Sequence, residues 1–182
     1  MRAAAFVFTF KEGLFARLAH DLRLTVQSFE ITVQSGAVRA WFDASSLSVD
    51  GVAHGERVDP DGLSPEDKRK ILDTIARDVL QSATHPRIEL DGKLVQTGQQ
   101  TIMDGKLRLH GVERPVRIPV DASAQQLSAE FAFSPASFGI RPYKALGGVI
   151  RLQDRVVVRV VADYDNLAAL SANDALTSFR PA

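Results

Sequence analysis

The chain has 182 residues, 45% of them apolar, and its 22 Lys plus Arg are matched by 22 Asp plus Glu. That length is well above the ~70–80 residues at which a single core becomes marginal, so one globular domain needs no covalent staple. Cysteine is absent, which removes disulfides, thiolate catalysis and Cys-ligated zinc but leaves the redox compartment open.

Acidic and basic residues are interspersed, so no electrostatic footprint for phosphates is visible and a nucleic-acid partner is not expected. No segment reaches the ~20 apolar residues of a membrane-spanning helix. Met1 and Arg2 followed by Ala3 to Phe10 start like a secretion signal, but Lys11 and Glu12 interrupt the run and no small-x-small cleavage site follows. Residues 3–10 are therefore read as mature structure, and the cytoplasm is favoured over the periplasm.

Period-two alternation dominates, the mark of half-buried strands. Phe6, Phe8 and Phe10 share one face of a first strand. Leu22, Leu24 and Val26 share a face of the next, whose apolar parity then switches to Phe29, Ile31 and Val33; the switch predicts a bulge or corner near Gln27 and Ser28. Ser35 and Gly36 suit a hairpin into a third strand, with Val38, Ala40 and Phe42 on one face. Residues 50–63, rich in Asp, Gly and Pro, read as a polar loop.

Ser64 as N-cap, Pro65 at the first helical position and Glu66 and Asp67 at the positive helix start then predict a helix. Its stripe of Ile71, Leu72, Ile75, Ala76, Val79 and Leu80 is read as packing on a sheet, and Thr84-His85-Pro86 ends it. Later strands carry Ile88 and Leu90; Met103, Leu107 and Leu109; Val116, Ile118 and Val120; Leu127, Ala129, Phe131 and Phe133; and Val156, Val158, Val160 and Ala162. Short links at Thr97-Gly98, Gly111-Val112-Glu113 and Ala124-Gln125-Gln126 leave no room for crossover helices, so neighbours are expected to be antiparallel.

The fold class is all-β with one helix. Eight antiparallel strands expose edges unless the sheet closes, which favours a barrel over a two-sheet sandwich. Residues 1–165 form the expected barrel domain and residues 166–182 a loosely docked or disordered tail. Between them, Phe138, Ile140, Tyr143, Leu146 and Val149 give residues 138–150 an apolar side, with Gly139, Gly147 and Gly148 at the flanks. Such a connection is either a gate at one barrel end or a loop docked permanently on the wall.

Several stretches resemble the YceI-like family. Gly105-Lys106-Leu107-Arg108-Leu109-His110-Gly111-Val112-Glu113-Arg114-Pro115-Val116 is similar to its signature Gly-x-Leu-x-x-His-Gly-x-x-Arg-Pro-Val. Phe10-Lys11-Glu12-Gly13 with His20-Asp21-Leu22, Ala76 to Leu80 with His85-Pro86-Arg87-Ile88, and Ser137 through Leu146 match in the same order. The resemblance implies an eight-stranded antiparallel lipocalin-like β-barrel with a helix packed against it, holding a polyisoprenoid chain in the bore of some members. The strand ahead of Phe6 is shorter than in many members, and the tail after Asp163 has no counterpart.

The four histidines, His20, His54, His85 and His110, show no metal-ligand spacing, so no metal or cofactor is expected. No nucleophile elbow occurs, and Gly147-Gly148 lacks the Lys-Ser/Thr of a phosphate loop. His110 beside Gly111 is read as bonded to backbone at a hairpin end. His20, in the loop after the first strand, is the better candidate for touching a ligand.

The informative constellation is apolar. The expected lipid-binding residues are Phe6, Phe8, Phe10, His20, Leu24, Val26, Phe29, Ile31, Val38, Phe42, Ile88, Leu90, Leu107, Leu109, Ile118, Phe131, Phe133, Phe138, Ile140, Val158 and Val160. The leading reading is a non-enzymatic carrier or sequestering protein for a long apolar isoprenoid such as a prenyl quinone or polyprenol, with a homodimer an open option. The rivals are an enzyme acting on such a lipid at the barrel mouth through His20 or His110, and a structural protein with a filled barrel.

Overall fold

The computed structural model describes residues 1–12, 21–123, 126–141, 143–145, 150–164, 170, 172 and 174–181. The strands are β1 (Arg2–Glu12), β2 (Leu22–Val26), β3 (Phe29–Gln34), β4 (Ala37–Asp43), β5 (Leu47–His54), β6 (Arg57–Asp59), β7 (Arg87–Thr97), β8 (Gln100–Leu109), β9 (Val112–Ser123), β10 (Gln126–Phe133), β11 (Lys144–Ala145), β12 (Ile150–Asp163) and β13 (Thr177–Pro181). Helix α1 (Pro65–Thr74) runs into a π-helical turn, Ile75–Val79, and a 3-10 turn spans Pro135–Phe138.

The sheet closes on itself. Its hydrogen-bonded ring runs β1, β12, β10, β9, β8, β7, β4, β3, β13 and back to β1, nine strands where the sequence predicts eight. An odd ring cannot alternate direction all the way round. Among the described residues the one parallel pair falls where β13 meets β1, at Arg2 with Arg180 and Ala3 with Pro181. Residues 177–181, expected as part of a loose tail, are thus a wall strand, also paired to β3 at Thr177, Ser178 and Phe179. The strand is only five residues long and has a single large apolar side chain, Phe179, too short a signal to distinguish it from a loop.

One edge of β1 is shared between two partners. Its start takes β13, and Phe6 to Thr9 take β2. The predicted corner at Gln27 and Ser28 is present and makes this sharing possible: β2 bends away into β3, pinned by Gln27 N–H to the Ser46 carbonyl and Asp43 N–H to the Ser28 carbonyl. Residues 50–63 are not simply a loop. Val49, Val52 and Ala53 are buried on β5, which turns through Gly55 into β6. Gly51 permits the pairing, since a Cβ there would lie 2.1 Å from the Asp59 carbonyl oxygen.

Helix α1 starts as its sequence dictates, with Ser64 Oγ accepting from Asp67 N–H at 3.1 Å and Pro65 in the first turn. It ends earlier than expected, because the π turn closes with Leu80 N–H to the Ile75 carbonyl and Gln81 takes a positive φ. Leu63, Ile71, Leu72 and Ile75 meet Leu22, Leu24 and Val49 on β2 and β5. The helix therefore covers the side of the barrel where β2 and β5 splay from the ring.

Strand β1 reverses an expectation. Ala3 and Ala5 are buried in the core and Val7 and Thr9 continue that face, so Phe6, Phe8 and Phe10 point outward. Both faces of β1 are apolar and alternation alone cannot choose between them. The decision comes from neighbours: Arg23, Arg159 and Arg155 lie over the Phe6, Phe8 and Phe10 rings at 5.0, 5.4 and 5.0 Å. Their guanidinium groups and stems cover the rings from solvent, an arrangement favourable to both.

Candidate functional site

The interior is a continuous cavity of about 770 Å³. An engineered cavity of about 150 Å³ holds one benzene, so this bore has roughly five times that room and the barrel is not filled. The residues lining it are overwhelmingly aliphatic and aromatic. In that medium an unpaired polar group is costly, whereas apolar surface gains by being covered.

Most of the expected contact residues do line it. Leu24 and Val26 on β2, Ile31 on β3, Val38 and Phe42 on β4, Ile88 and Leu90 on β7, and Leu107 and Leu109 on β8 face the cavity. So do Ile118 on β9, Phe131 and Phe133 on β10, Ile140 after the 3-10 turn, and Val158 and Val160 on β12. Phe6, Phe8 and Phe10 do not, for the reason given above. Phe29 and Phe138 are also absent from the wall. Phe29, 3% exposed, stacks on Phe42 at 5.5 Å inside the β2–β3 corner. Phe138, 2% exposed, packs edge-on against Phe133 at 5.5 Å and so stands behind it. His20 lies outside the described residues.

The cavity has two unlike ends. Where β1 begins, Ala3 and Ala5 pack with Leu127, Ala162, Leu170 and Phe179, all buried. At the other end the lining passes to exposed or half-exposed polar residues: Asp43, Asp67, Lys70 and Thr74 near α1, and Arg141, Gln153 and Asp154 near the start of β12. Lys70 pairs with Glu66 at 2.7 Å. Asp154 accepts from the Ser134 hydroxyl and from Ala136 N–H, which caps the 3-10 turn. The segment 135–140 is docked by this cap and by buried Phe138 and Ile140. Of the suggested gate residues, Leu146, Gly147, Gly148 and Val149 lie outside the described residues.

Sequence reasoning missed part of the wall. Asp67, Lys70, Ile71, Thr74, Ile75, Val79 and Leu80 line the cavity, so the helix stripe packs on the sheet as expected and is also one side of the bore. The signal was available: residues 67, 70, 71 and 74 recur at the three- and four-residue spacing of one helix face. No residue of α1 is buried: Ile71 and Leu72 pack on β2 and β5, but the face as a whole is left partly open by the cavity. Val7 and Thr9 were hidden by the phenylalanines of opposite parity, and Leu170 and Phe179 by the tail.

His110 does not line the cavity. It sits with positive φ at the β8–β9 turn, its ring 4.4 Å from that of His85, so these two histidines do not stand alone. Burial first, and then the neighbouring His85, hold its pKa below the ordinary value, against a hydrogen bond to the Phe138 backbone that raises it. The His110 Nε2 is buried without a partner. Among the described residues no three His, Asp or Glu side chains converge on a common point, and no helix is long and apolar enough to cross a membrane.

Outside the barrel, Arg159 binds Glu56 at 2.9 Å and Glu130 at 2.8 Å, fastening the β5–β6 turn to β10 and β12. Hydrogen bonding from Arg159 holds the Glu56 carboxyl below the usual range.

The model of the YceI-like domain matches residues 3–163. No curated protein matches the sequence. Among solved structures, Burkholderia cenocepacia BcnA aligns at TM-score 0.58 and 12% identity over 88% of this chain and 96% of its own. A polyisoprenoid binding domain from Saccharophagus degradans, implicated in plant cell wall breakdown, aligns at 0.55 and 10% identity over 87% and 91%. The Campylobacter jejuni YCEI protein aligns at 0.50 and 8% identity over 78% and 84%. At these identities the likeness is one of fold.

Proposed function

The chain belongs to the YceI-like family, and from that premise we propose that it binds, carries or sequesters a long apolar isoprenoid-type lipid in the bore of its barrel, without chemistry. The observation that carries this is the continuous apolar cavity of about 770 Å³. Each methylene moved from water into such a space contributes about 0.8 kcal/mol, so a chain of several isoprene units binds tightly with no specific polar contact. The volume falls within the roughly 300–1,000 Å³ of ordinary ligand sites. The ligand is a prenyl quinone or a polyprenol, its tail in the bore and its polar head at the end lined by Asp67, Lys70 and Gln153. The polyisoprenoid-binding domain of S. degradans, similar in fold, supports the same class.

The position of His110 off the cavity wall supports a carrier over an enzyme. The test is native mass spectrometry of the purified protein with lipid extraction, followed by titration of delipidated protein with prenyl alcohols and quinones. A co-purifying isoprenoid, or saturable uptake at one site, is the expected result. Delipidated protein that takes up neither class overturns the reading.

A further inference from the structure

The family domain ends at residue 163, yet the wall and the closed end of the bore are completed by residues beyond it. Leu170 and Phe179 are each 3% exposed and both line the cavity. They stand beside Ala3, Ala5 and Ala162, where the barrel's own side chains are small apart from Leu127. Tyr164 meets Phe179 edge-on at 5.9 Å.

Leu170 and residues 174–180 are fastened from outside by polar ties. The Leu170 carbonyl accepts from Gly36 N–H at 3.2 Å, in the β3–β4 turn. Asp174 accepts from Gln34 Nε2 at 2.8 Å through its carbonyl and from the Ser35 hydroxyl at 2.7 Å through its carboxylate. The Met1 ammonium donates to the Ser178 carbonyl at 2.8 Å, and Arg180 binds Glu30 at 2.6 Å. Apolar groups facing the cavity and polar clamps on the rim are the construction of a stopper.

We propose that Leu170 and strand β13 form a built-in stopper: Leu170 and Phe179 are the floor of the bore and set the length of the isoprenoid chain it accepts. The inference rests on the carrier reading and adds the determinant of specificity. In an apolar tube affinity grows with each methylene covered, until the chain end meets the floor; the next unit must then leave part of the ligand in water or push into packed side chains. The floor, and not a polar contact, chooses the length. Removing the Leu170 and Phe179 side chains beyond Cβ frees space for about one further isoprene unit, whose newly covered methylenes favour the longer chain.

The experiment titrates delipidated protein with geraniol, farnesol, geranylgeraniol and geranylfarnesol by displacement of a fluorescent fatty-acid probe. The native chain is compared with Leu170→Ala/Phe179→Ala, with Leu170→Phe, which raises the floor, and with Val158→Ala at mid-bore. The preferred alcohol should lengthen by about one unit in the double variant and shorten in Leu170→Phe, while Val158→Ala weakens all lengths alike. Leu170→Phe keeps the test valid if the double variant does not fold. A native preference that survives in every folded variant overturns the stopper and leaves the carrier reading standing. Failure of native protein to bind any of the alcohols overturns both.

Discussion

The two ends of the barrel use the same aliphatic alphabet to opposite purposes. At the sealed end, and in the corner around Phe138, side chains meet one another and are nearly inaccessible: Ala5 is 0% exposed and Phe138 2%. Along the bore and on the helical segment, several residues of the same types, among them Phe131, Leu90 and Ile75, remain half-exposed because part of their surface faces empty space, although others on the wall such as Leu24 are closed off by their neighbours. Packed contacts give the fold its stability through dispersion and burial. The bore gives up part of that stabilisation so that a ligand can restore it, and ligand binding should raise the stability of the protein accordingly.

The contrast is broken most directly by deleting an aromatic ring on each side of it. Phe138→Ala removes a side chain enclosed by Phe133 and the barrel rim and should cost about 3–5 kcal/mol, the range for aromatic truncation in a packed core. Phe131→Ala removes a ring that already faces the cavity, so it creates little new void. Its cost should be near the transfer term for a half-buried side chain, about 1.5 kcal/mol. Urea unfolding of both variants in delipidated form checks this. Equal losses would mean that the bore is not open in solution.

Adding bulk probes the same difference from the other direction. Ala129 on β10 faces the cavity between Val120 and Val160 on the adjacent strands. In a filled core, Ala129→Trp would cost about 1–3 kcal/mol through overpacking. Here the indole enters existing space, so the thermal midpoint should hold. Affinity for geranylgeraniol should drop at least about tenfold, since losing the burial of two methylenes already accounts for that much. A lowered thermal midpoint with unchanged affinity would contradict the assigned cavity.

How much of this was legible in the sequence depends on whether one face of an element was distinctive. Strands β8, β9 and β10 carry most of their polar residues, and all their acidic ones, on one face, so Leu107, Ile118 and Phe131 could be placed on the wall from alternation. The parity switch at Gln27 and Ser28 likewise located a corner that the backbone hydrogen bonds confirm. Strand β1 carries apolar residues on both faces. Its choice was made by Arg23, Arg155 and Arg159, two of them more than 140 residues away in sequence, and no local pattern contains that information. Leu170 and Phe179 were invisible for the same reason: their burial depends on the β3–β4 turn and on the first residues of the chain. The helix was found correctly but given a filled partner, because periodicity reports which face is apolar and not whether anything occupies the space opposite.

The smallest expected effect belongs to His110, in the packed corner. Burial, more than the neighbouring His85, lowers its pKa from 6.5 in the folded protein. As pH falls below 6.5 the unfolded chain takes up this proton first, so the unfolded state binds more protons and folding weakens. The His110 contribution is fully present above the unfolded value and is lost as pH drops through the lowered folded value. The proton also meets a ring whose Nε2 has no partner and whose other side is bonded to the Phe138 backbone, so loosening should start at the 3-10 turn and not on the bore wall. His110→Asn removes the titration while keeping a residue type that tolerates the positive φ at this position. Urea midpoints of the native protein should decline more steeply than those of the variant as pH falls below about 6.5, the extra slope being at most one proton. Hydrogen exchange should show the added opening at residues 135–140 and not along β9. Identical slopes for the two proteins would show that His110 is as easily protonated folded as unfolded, and that the corner is less tightly packed than the 2% exposure of Phe138 implies.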